Sequence, residues 1–367
     1  MALVLLSATS AMLTYPQGGV PPLTAPRLPA AAPLRAAPTL TASPLHDKAQ
    51  KLEKAVGSLA AHHNSLRRAA PAEAVGTSKT LLAASAALTG WALATSAPPR
   101  ALAVGFCTAS LSAASLGFLS LHAAVTYGYG LALVGHAAAM CRHAAAGRAP
   151  TLLLATVLLY GVKVCVLQLA RDLRPAYARR VLPSFAGLVP ATKCPFTKSV
   201  AKLPIILSVA VLLAAYAMPL WVVCHASAGT SGVRAAVSLA GCALALTGLA
   251  VQTVADVQKF AAKDRLGADA PILGTGLWAY SRHPNYAADI VFHLGTAATA
   301  VACSGNLGAA WISMLGPAGL IAVILVSTKS LERRQLMQYK SNPDFVEYHS
   351  RTPRLFPGAP SPSDAAA

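Results

Sequence analysis

Long stretches without charge constrain this chain more than any other feature of its sequence. Residues 101–122, 204–223 and 307–327 contain no Asp, Glu, Lys or Arg. A helix needs about 20 apolar residues to cross a bilayer, because its backbone polar groups must be satisfied within the segment. With only 11% charged residues, the chain lacks the polar surface that a soluble helical protein of this length would need. The sequence therefore predicts an all-α, multi-pass transmembrane helical bundle.

Eight apolar segments are candidate spans, and we expect six to eight membrane crossings. One of them, Tyr127–Met140, is short, so it is either half of a broken helix or a part of the neighbouring segment. The predicted spans are Leu81–Ser96, Leu102–Val125, Tyr127–Met140, Thr151–Ala170, Leu203–Cys224, Val233–Ala255, Ala287–Cys303 and Leu307–Thr328. The spans define N-terminal transmembrane helices at 77–225 and a C-terminal membrane domain at 226–357, and we expect residues 358–367 to be a disordered tail.

The basic residues alternate between successive loops. Lys and Arg are frequent at 171–202 and 256–286 and in the tail from Lys329, but absent at 225–232 and 304–306. The positive-inside rule therefore places the basic loops and the tail on one side of the membrane, called the basic side below. The polar residues considered next lie on that side or at its boundary.

The net charge of +18 does not indicate a nucleic-acid-binding protein. The basic residues lie in the N-terminal tail and the loops, which is typical of a membrane protein in contact with anionic headgroups, and no nucleic-acid motif is present. Seven cysteines occur without a CxxC spacing, mostly inside apolar segments. The sequence therefore predicts neither a disulfide framework nor a metal site.

Residues 1–76 differ in composition from the rest of the chain. Arg27 and Arg35 lie among Ala, Pro, Ser, Thr and Leu, and the first acidic residue is Asp47. Such tracts are typical of organelle transit peptides, and residues 2–13 form a short signal-like apolar stretch without a basic start. We expect a targeting region, with a plastid membrane favoured and the endoplasmic reticulum as the alternative. The other interpretation is an unprocessed, disordered tail.

The most informative segment is 274–286, Gly-Thr-Gly-Leu-Trp-Ala-Tyr-Ser-Arg-His-Pro-Asn-Tyr. Pro284 suits the first turn of a helix, where its missing N–H costs nothing. Arg282 and His283 would then lie at the helix N-terminus, beside free backbone N–H groups and the positive end of the dipole. This arrangement predicts an anion site suited to the phosphates of a nucleotide.

A carboxylate follows within the predicted helix. Tyr286, Asp289 and His293 are spaced i, i+3 and i+7, which places them on one face. A charged group inside a membrane helix is costly unless it is paired, so Asp289 is a candidate functional residue. The alternative is that Asp289 pairs with Arg282 or His293 and only stabilises the fold.

The string at 276–286, with an acid three residues later, resembles the signature of the steroid 5-alpha-reductase C-terminal-like family. The same membrane superfamily includes the sterol C14 and delta-7 reductases and the isoprenylcysteine carboxyl methyltransferases. Residues 255–260, Ala-Asp-Val-Gln-Lys-Phe, are similar to the Asp-x-Gln-Lys helix end of that family. Residues 331–334, Leu-Glu-Arg-Arg, and the aromatic tail after them are similar to its C-terminal region. The resemblance covers residues 232–357.

The resemblance implies an NADPH pocket among the C-terminal helices that opens to the basic side, with an apolar small molecule entering from the bilayer. One departure is Ala287-Ala288 before Asp289, where the family commonly has Gly, and the extra methyl group is expected to narrow the space for the cofactor. The residues that the resemblance assigns to the cofactor are Lys259, Tyr280, Arg282, His283, Asn285, Tyr286, Asp289, Glu332, Arg333, Tyr348 and Arg351.

The implied reaction is reduction of a carbon–carbon double bond in a sterol-, enone- or other lipid-like substrate. The proton donor would be a tyrosine beside a carboxylate or histidine, and Tyr127, Tyr129 and Tyr160 are candidates without a firm assignment. The nearest alternative is an S-adenosylmethionine-dependent methyltransferase on the same scaffold, although Asp289 and the single Glu332 favour the reductases. A transporter or non-enzymatic membrane protein is a third interpretation, which the lack of an internal repeat disfavours.

Overall fold

The computed structural model describes residues 98–118, 121–141, 143, 147–173, 195–226, 232–267, 271 and 274–358. Within these ranges all regular structure is helical, so the all-α prediction is confirmed. The predicted span Leu81–Ser96, the targeting region 1–76 and nearly all of the tail 358–367 lie outside the described residues. The principal helices are α1 (Arg100–Ala114), α2 (Tyr129–Cys141), α3 (Arg148–Asp172), α4 (Pro195–Cys224), α5 (Val233–Leu266), α6 (Pro284–Cys303), α7 (Leu307–Tyr339) and α8 (Pro343–Arg351).

Seven helical segments in the described part of the chain are long and apolar enough to cross a membrane, which confirms the multi-pass prediction. Two of them continue well past the ends that the sequence predicted. The predicted spans end at Ala255 and Thr328, whereas α5 continues to Leu266 and α7 to Tyr339. The added residues are rich in Ala, Lys, Arg, Gln and Glu, which favour helix even where they are too polar for hydrocarbon.

The short third span belongs to a longer helical segment. A π-helical turn, Ala124–Gly128, leads directly into α2, and together they form an apolar segment, Ala124–Cys141. The irregular turn brings Gly128 close to α1, because a Cβ atom built on Gly128 would lie 2.5 Å from the carbonyl oxygen of Ala113. Only glycine allows this approach of the two backbones.

Helices α5 and α6 are in close contact through small residues. A Cβ atom built on Gly248 would lie 2.5 Å from the backbone nitrogen of Phe292, and one on Gly295 would meet the backbone of Ala245. Membrane helices lack a hydrophobic driving force for association, so such close backbone packing is an important source of stability. The contact fixes the position of α6, which also touches α3, α4 and α7.

We expect Gly248→Val to destabilise the protein by about 1–3 kcal/mol, because the new side chain meets the backbone of α6 and forces the helices apart. Gly135→Val in α2 is the matched control, since a Cβ atom there has no neighbour within 4 Å. Thermal unfolding of both purified variants in the same detergent measures the difference. Equal midpoints for the two variants would contradict the packing argument.

Candidate functional site

A cavity of about 410 Å³ lies between helices α2 to α7, and we call it the main cavity. This volume is typical of small-molecule sites. Its residues lie in the halves of α3–α7 that adjoin the basic loops and tail. Its aliphatic wall comes from α4 and α7 and consists of Ile205, Val209, Leu212, Leu213, Leu320, Val323 and Ile324. The prediction of a pocket among the C-terminal helices was therefore incomplete, because α2, α3 and α4 supply much of the lining.

The opposite wall of the main cavity carries a tyrosine and a carboxylate in direct contact. The Tyr160 hydroxyl on α3 donates a 2.6 Å hydrogen bond to Oδ1 of Asp289 on α6. The side-chain amide of Gln252 on α5 donates to the same carboxylate oxygen. The ring of Tyr160 stacks on Phe292, with centroids 4.0 Å apart, so packing fixes its direction. Asp289 thus bonds to Tyr160 and Gln252, and not to the predicted structural partners Arg282 and His293.

An ion pair extends this polar wall towards the basic side. The Lys163 ammonium lies 2.6 Å from Oδ2 of Asp256 and also donates to Oε1 of Gln252 at 2.7 Å. Asn285 donates to Oδ1 of Asp256 at 3.2 Å. Ionisable groups inside membrane spans are costly unless they are paired, so a connected set of this kind is a candidate functional site.

His293 lies deeper on the same face of α6. Its Nε2 is 3.3 Å from the Tyr129 hydroxyl, and its Nδ1 is 3.1 Å from the Tyr216 hydroxyl. Tyr129 lines the main cavity, whereas Tyr216 is fully buried in the core. His293 therefore connects α6 to Tyr129 on α2 and to Tyr216 on α4.

A second polar group, which we call the tail clamp, joins the start of α6 to α7 and α8. It consists of Arg282, His283, Glu332 and His349. The Arg282 guanidinium contacts both oxygens of Glu332, at 3.3 Å and 2.6 Å, and its Nη1 donates to the backbone carbonyls of His349 and Thr352. The imidazoles contact the same carboxylate, His283 at 2.5 Å and His349 at 3.1 Å.

The backbone at the start of α6 is also occupied by the tail. The Arg282 and His283 N–H groups donate to the carbonyls of Pro353 and Arg354, at 2.9 Å and 3.1 Å. The sequence predicted free N–H groups at this point, and for Arg282 and His283 that expectation was wrong, whereas anion binding by their side chains stays a prediction. The physical reason for the failed expectation is that residues some 70 positions later return to cap these groups and that Glu332 balances the charge of Arg282.

Burial lowers the pKa of His283 in the clamp, although the neighbouring Glu332 carboxylate opposes this shift. A neutral ring with its proton on Nε2, assigned from the hydrogen-bond network, can donate to Glu332. Burial also raises the pKa of Tyr348, so its hydroxyl keeps its proton and donates to the Trp278 carbonyl at 2.6 Å. These contacts hold α8 against the start of α6.

A small cavity of about 60 Å³ adjoins the clamp. Lys259, Asn285 and Tyr286 line both this cavity and the main one, so they form the wall that the two share. The Lys259 ammonium lies 6.0 Å from the ring centroid of Trp278. Among the described residues Lys259 makes no ion pair, which leaves a cation between the two cavities.

The predicted cofactor residues fall into four groups. Lys259, Asn285, Tyr286 and Asp289 line the main cavity, and Arg282, His283 and Tyr348 line the small one. Glu332 is buried inside the tail clamp. Tyr280, Arg333 and Arg351 are exposed and line neither cavity, and Arg351 pairs with Glu347 at 3.2 Å. The structure therefore gathers eight of the eleven around the cavities and the clamp, and binding by the other three stays a prediction.

Of the three candidate tyrosines, Tyr129 and Tyr160 line the main cavity. Tyr127 does not, and it donates instead to Asp172 at 3.1 Å. The predicted narrowing at Ala288 was wrong, because this residue is buried against Gly248 of α5 and lines neither cavity.

Sequence reasoning did not assign Lys163, Gln252 or Asp256 to the site. A signal was present for Lys163, since it is the sole charged residue between Arg148 and Arg171 in a helix that spans the membrane. Gln252 gave a weaker signal as an amide in an apolar run four residues before Asp256. Across the described ranges, no group of three or more His, Cys, Asp or Glu side chains is arranged to hold a metal ion.

A family model described as a protein of unknown function, DUF1295, matches residues 122–352. The match spans parts of both predicted membrane segments and includes all the residues that line the two cavities. No curated protein and no solved structure matches the chain.

Proposed function

We propose that this chain, which belongs to the DUF1295 family, is a membrane-embedded, NADPH-dependent reductase of a carbon–carbon double bond in a sterol-, enone- or other lipid-like substrate. The observation that carries the proposal is the hydrogen-bonded Tyr160–Asp289 pair in a cavity with an aliphatic opposite wall. The resemblance of residues 276–289 to the steroid 5-alpha-reductase C-terminal-like signature supports the same reaction.

The charges around the two cavities fit a dinucleotide. Lys163 is neutralised by Asp256, and Arg282 by Glu332. Lys259 has no such partner among the described residues, and with Asn285 and Tyr286 it lies where the two cavities adjoin. An ammonium group without an ion-pair partner, where water is scarce, favours a phosphate. Lys259 would hold the phosphates of NADPH, which supplies a hydride when bound, and Asn285 and Tyr286 would contact its sugar.

The chain itself supplies the proton. Tyr160 and Asp289 hold a proton between oxygens 2.6 Å apart beside the main cavity. When a substrate gains a hydride on one carbon, the negative charge that develops on its oxygen or neighbouring carbon can take this proton. The substrate thereby gains a hydride and a proton in place of its double bond. The aliphatic side chains of α4 and α7 exclude water, which strengthens the hydrogen bonds of the pair.

The Tyr160–Asp289 pair also favours a reductase over the methyltransferase alternative. Methyl transfer to a lipid carboxylate or thiolate consumes no proton, so it would leave a buried proton donor without a chemical role. A transporter site would be expected at paired broken helices near the middle of the bilayer. The polar wall instead lies in the parts of α3, α5 and α6 that adjoin the basic loops.

We expect saturable binding of labelled NADPH to the purified protein in detergent, and Lys259→Met should weaken it by about tenfold or more, because a charge-assisted contact contributes about 1.5–3 kcal/mol. Lys329→Met removes an exposed lysine on α7 that lines neither cavity, so its affinity should equal that of the unaltered protein. Labelled S-adenosylmethionine serves as the competing probe. Saturable binding of S-adenosylmethionine without binding of NADPH would refute the reductase proposal.

A further inference from the structure

The direction of the Gln252 amide follows from its neighbour Lys163. An ammonium group has only hydrogens to donate, so the Gln252 atom at 2.7 Å from Lys163 must be the carbonyl oxygen. The amide nitrogen therefore points the other way, towards Tyr160 and Asp289. Asn and Gln orientations are assigned from such networks, and here a charged donor leaves a single consistent choice.

The Gln252 nitrogen contacts both members of the proton-donating pair. It donates to Oδ1 of Asp289, and it lies 3.4 Å from the hydroxyl oxygen of Tyr160. An amide nitrogen carries two hydrogens, enough for one towards each oxygen. Gln252 is 5% exposed, and so water competes little for either contact.

Release of a proton changes the charge of the pair. The tyrosine or the carboxylate then holds one more negative charge in an environment of low dielectric, where an unbalanced charge is costly. The Gln252 hydrogens already point at these oxygens, and the Lys163 charge on the other side of the amide polarises it in the favourable direction. Preorganised donors of this kind need no rearrangement at the moment of reaction.

We propose that Lys163, acting through Gln252, is a positioning residue for the Tyr160–Asp289 proton donor: it fixes the amide and stabilises the charge that proton release leaves behind. This inference rests on the proposed reductase function. The alternative is a purely structural role, in which Lys163 only balances the charge of Asp256, its ion-pair partner at 2.6 Å. The two readings differ when both charges of the ion pair are removed together.

Three variants separate these readings. Lys163→Arg keeps the charge and the donors. Lys163→Met removes both and leaves Asp256 without its cation. Lys163→Met combined with Asp256→Asn removes the whole ion pair and restores neutrality, so a purely structural defect is largely repaired in this variant.

We expect Lys163→Met and the double variant to lower turnover by about tenfold or more. The effect should be smaller than the 10²–10³-fold loss caused by removing a direct donor, because Lys163 acts through Gln252. KM and NADPH affinity should stay within about twofold, and Lys163→Arg should recover most of the turnover. Full turnover in the double variant would overturn the proposal, because it would show that Lys163 acts only on Asp256.

Infrared difference spectra between each variant and the unaltered protein supply a measurement that needs no substrate. The Asp289 carboxyl band is identified by its loss in Asp289→Asn. We expect the frequency of this band to shift in Lys163→Met and in the double variant, which lack the lysine charge, but not in Lys163→Arg. An unmoved band would overturn the inference. A moved band in a protein that binds no NADPH would instead uphold the positioning role and refute the reductase.

Discussion

Asp289→Asn and Tyr160→Phe are each expected to lower product formation by about 10²–10⁴-fold, the usual contribution of a positioned proton donor. Both substitutions preserve the shape of the side chain. Tyr160→Phe removes the hydroxyl that donates the shared proton, and Asp289→Asn replaces the accepting carboxylate, 2.6 Å away, with a neutral amide. NADPH binding should persist in Tyr160→Phe, because Lys259 and Tyr286 are unchanged. Loss of turnover with retained binding is the signature of a lost chemical step.

Cells that lack the protein supply the assay. They are complemented with each variant, and their lipid extracts are compared by mass spectrometry. The substrate and the product are recognised as two lipids whose compositions differ by two hydrogens. Asp264→Asn is the matched control, since this exposed carboxylate near the end of α5 lines neither cavity and its loss should leave the product level unchanged. A normal product level in Asp289→Asn cells at equal protein abundance would contradict the mechanism.

Arg282→Met is expected to destabilise the protein by about 3–5 kcal/mol, because it leaves the buried Glu332 carboxylate without its main cation. Arg282 is 4% exposed, and its two contacts with Glu332 are accompanied by two hydrogen bonds to backbone carbonyls of the tail. The double variant Arg282→Met with Glu332→Gln should lose less than the sum of the single variants, since it removes both charges.

Thermal unfolding in detergent and NADPH binding together distinguish the clamp from an anion site. Arg333→Met is the control, because Arg333 follows Glu332 in α7 but is exposed, and its effect should stay within about 0.5 kcal/mol. A clamp predicts a large fall in the unfolding midpoint for Arg282→Met. An unchanged midpoint with lost NADPH affinity would instead restore the interpretation of Arg282 as a phosphate ligand.

The candidate site was partly predictable because membrane burial makes polar residues conspicuous. Asp289 stands out as a lone carboxylate in an apolar helix, which made it a candidate functional residue, and it lines the main cavity. Its partner Tyr160 lies 129 positions earlier and could be named only as one of three tyrosines. Lys163 gave the same kind of signal as Asp289, but nothing local connects it with Gln252, which lies 89 positions away.

The expectation of free N–H groups at Arg282 and His283 failed for a different reason. A helix start with a preceding Arg-His pair favours anion binding when its N–H groups face solvent or a ligand. Here the chain returns after α8 and places its own carbonyl oxygens on those groups. The local pattern is the same in both cases, so the sequence near residue 282 cannot distinguish them.

The sequence by itself determined that the chain is built of membrane-spanning helices, because hydrophobic length and backbone hydrogen bonding within a helix are local properties. Only the tertiary structure decided which polar side chains meet. Tyr160, Gln252 and Asp289 come from three helices, and their contacts depend on the close packing of α5 and α6 at Gly248 and on the stacking of Tyr160 over Phe292. Contacts between distant residues follow from how helices pack, and periodicity along one helix carries no information about its neighbours.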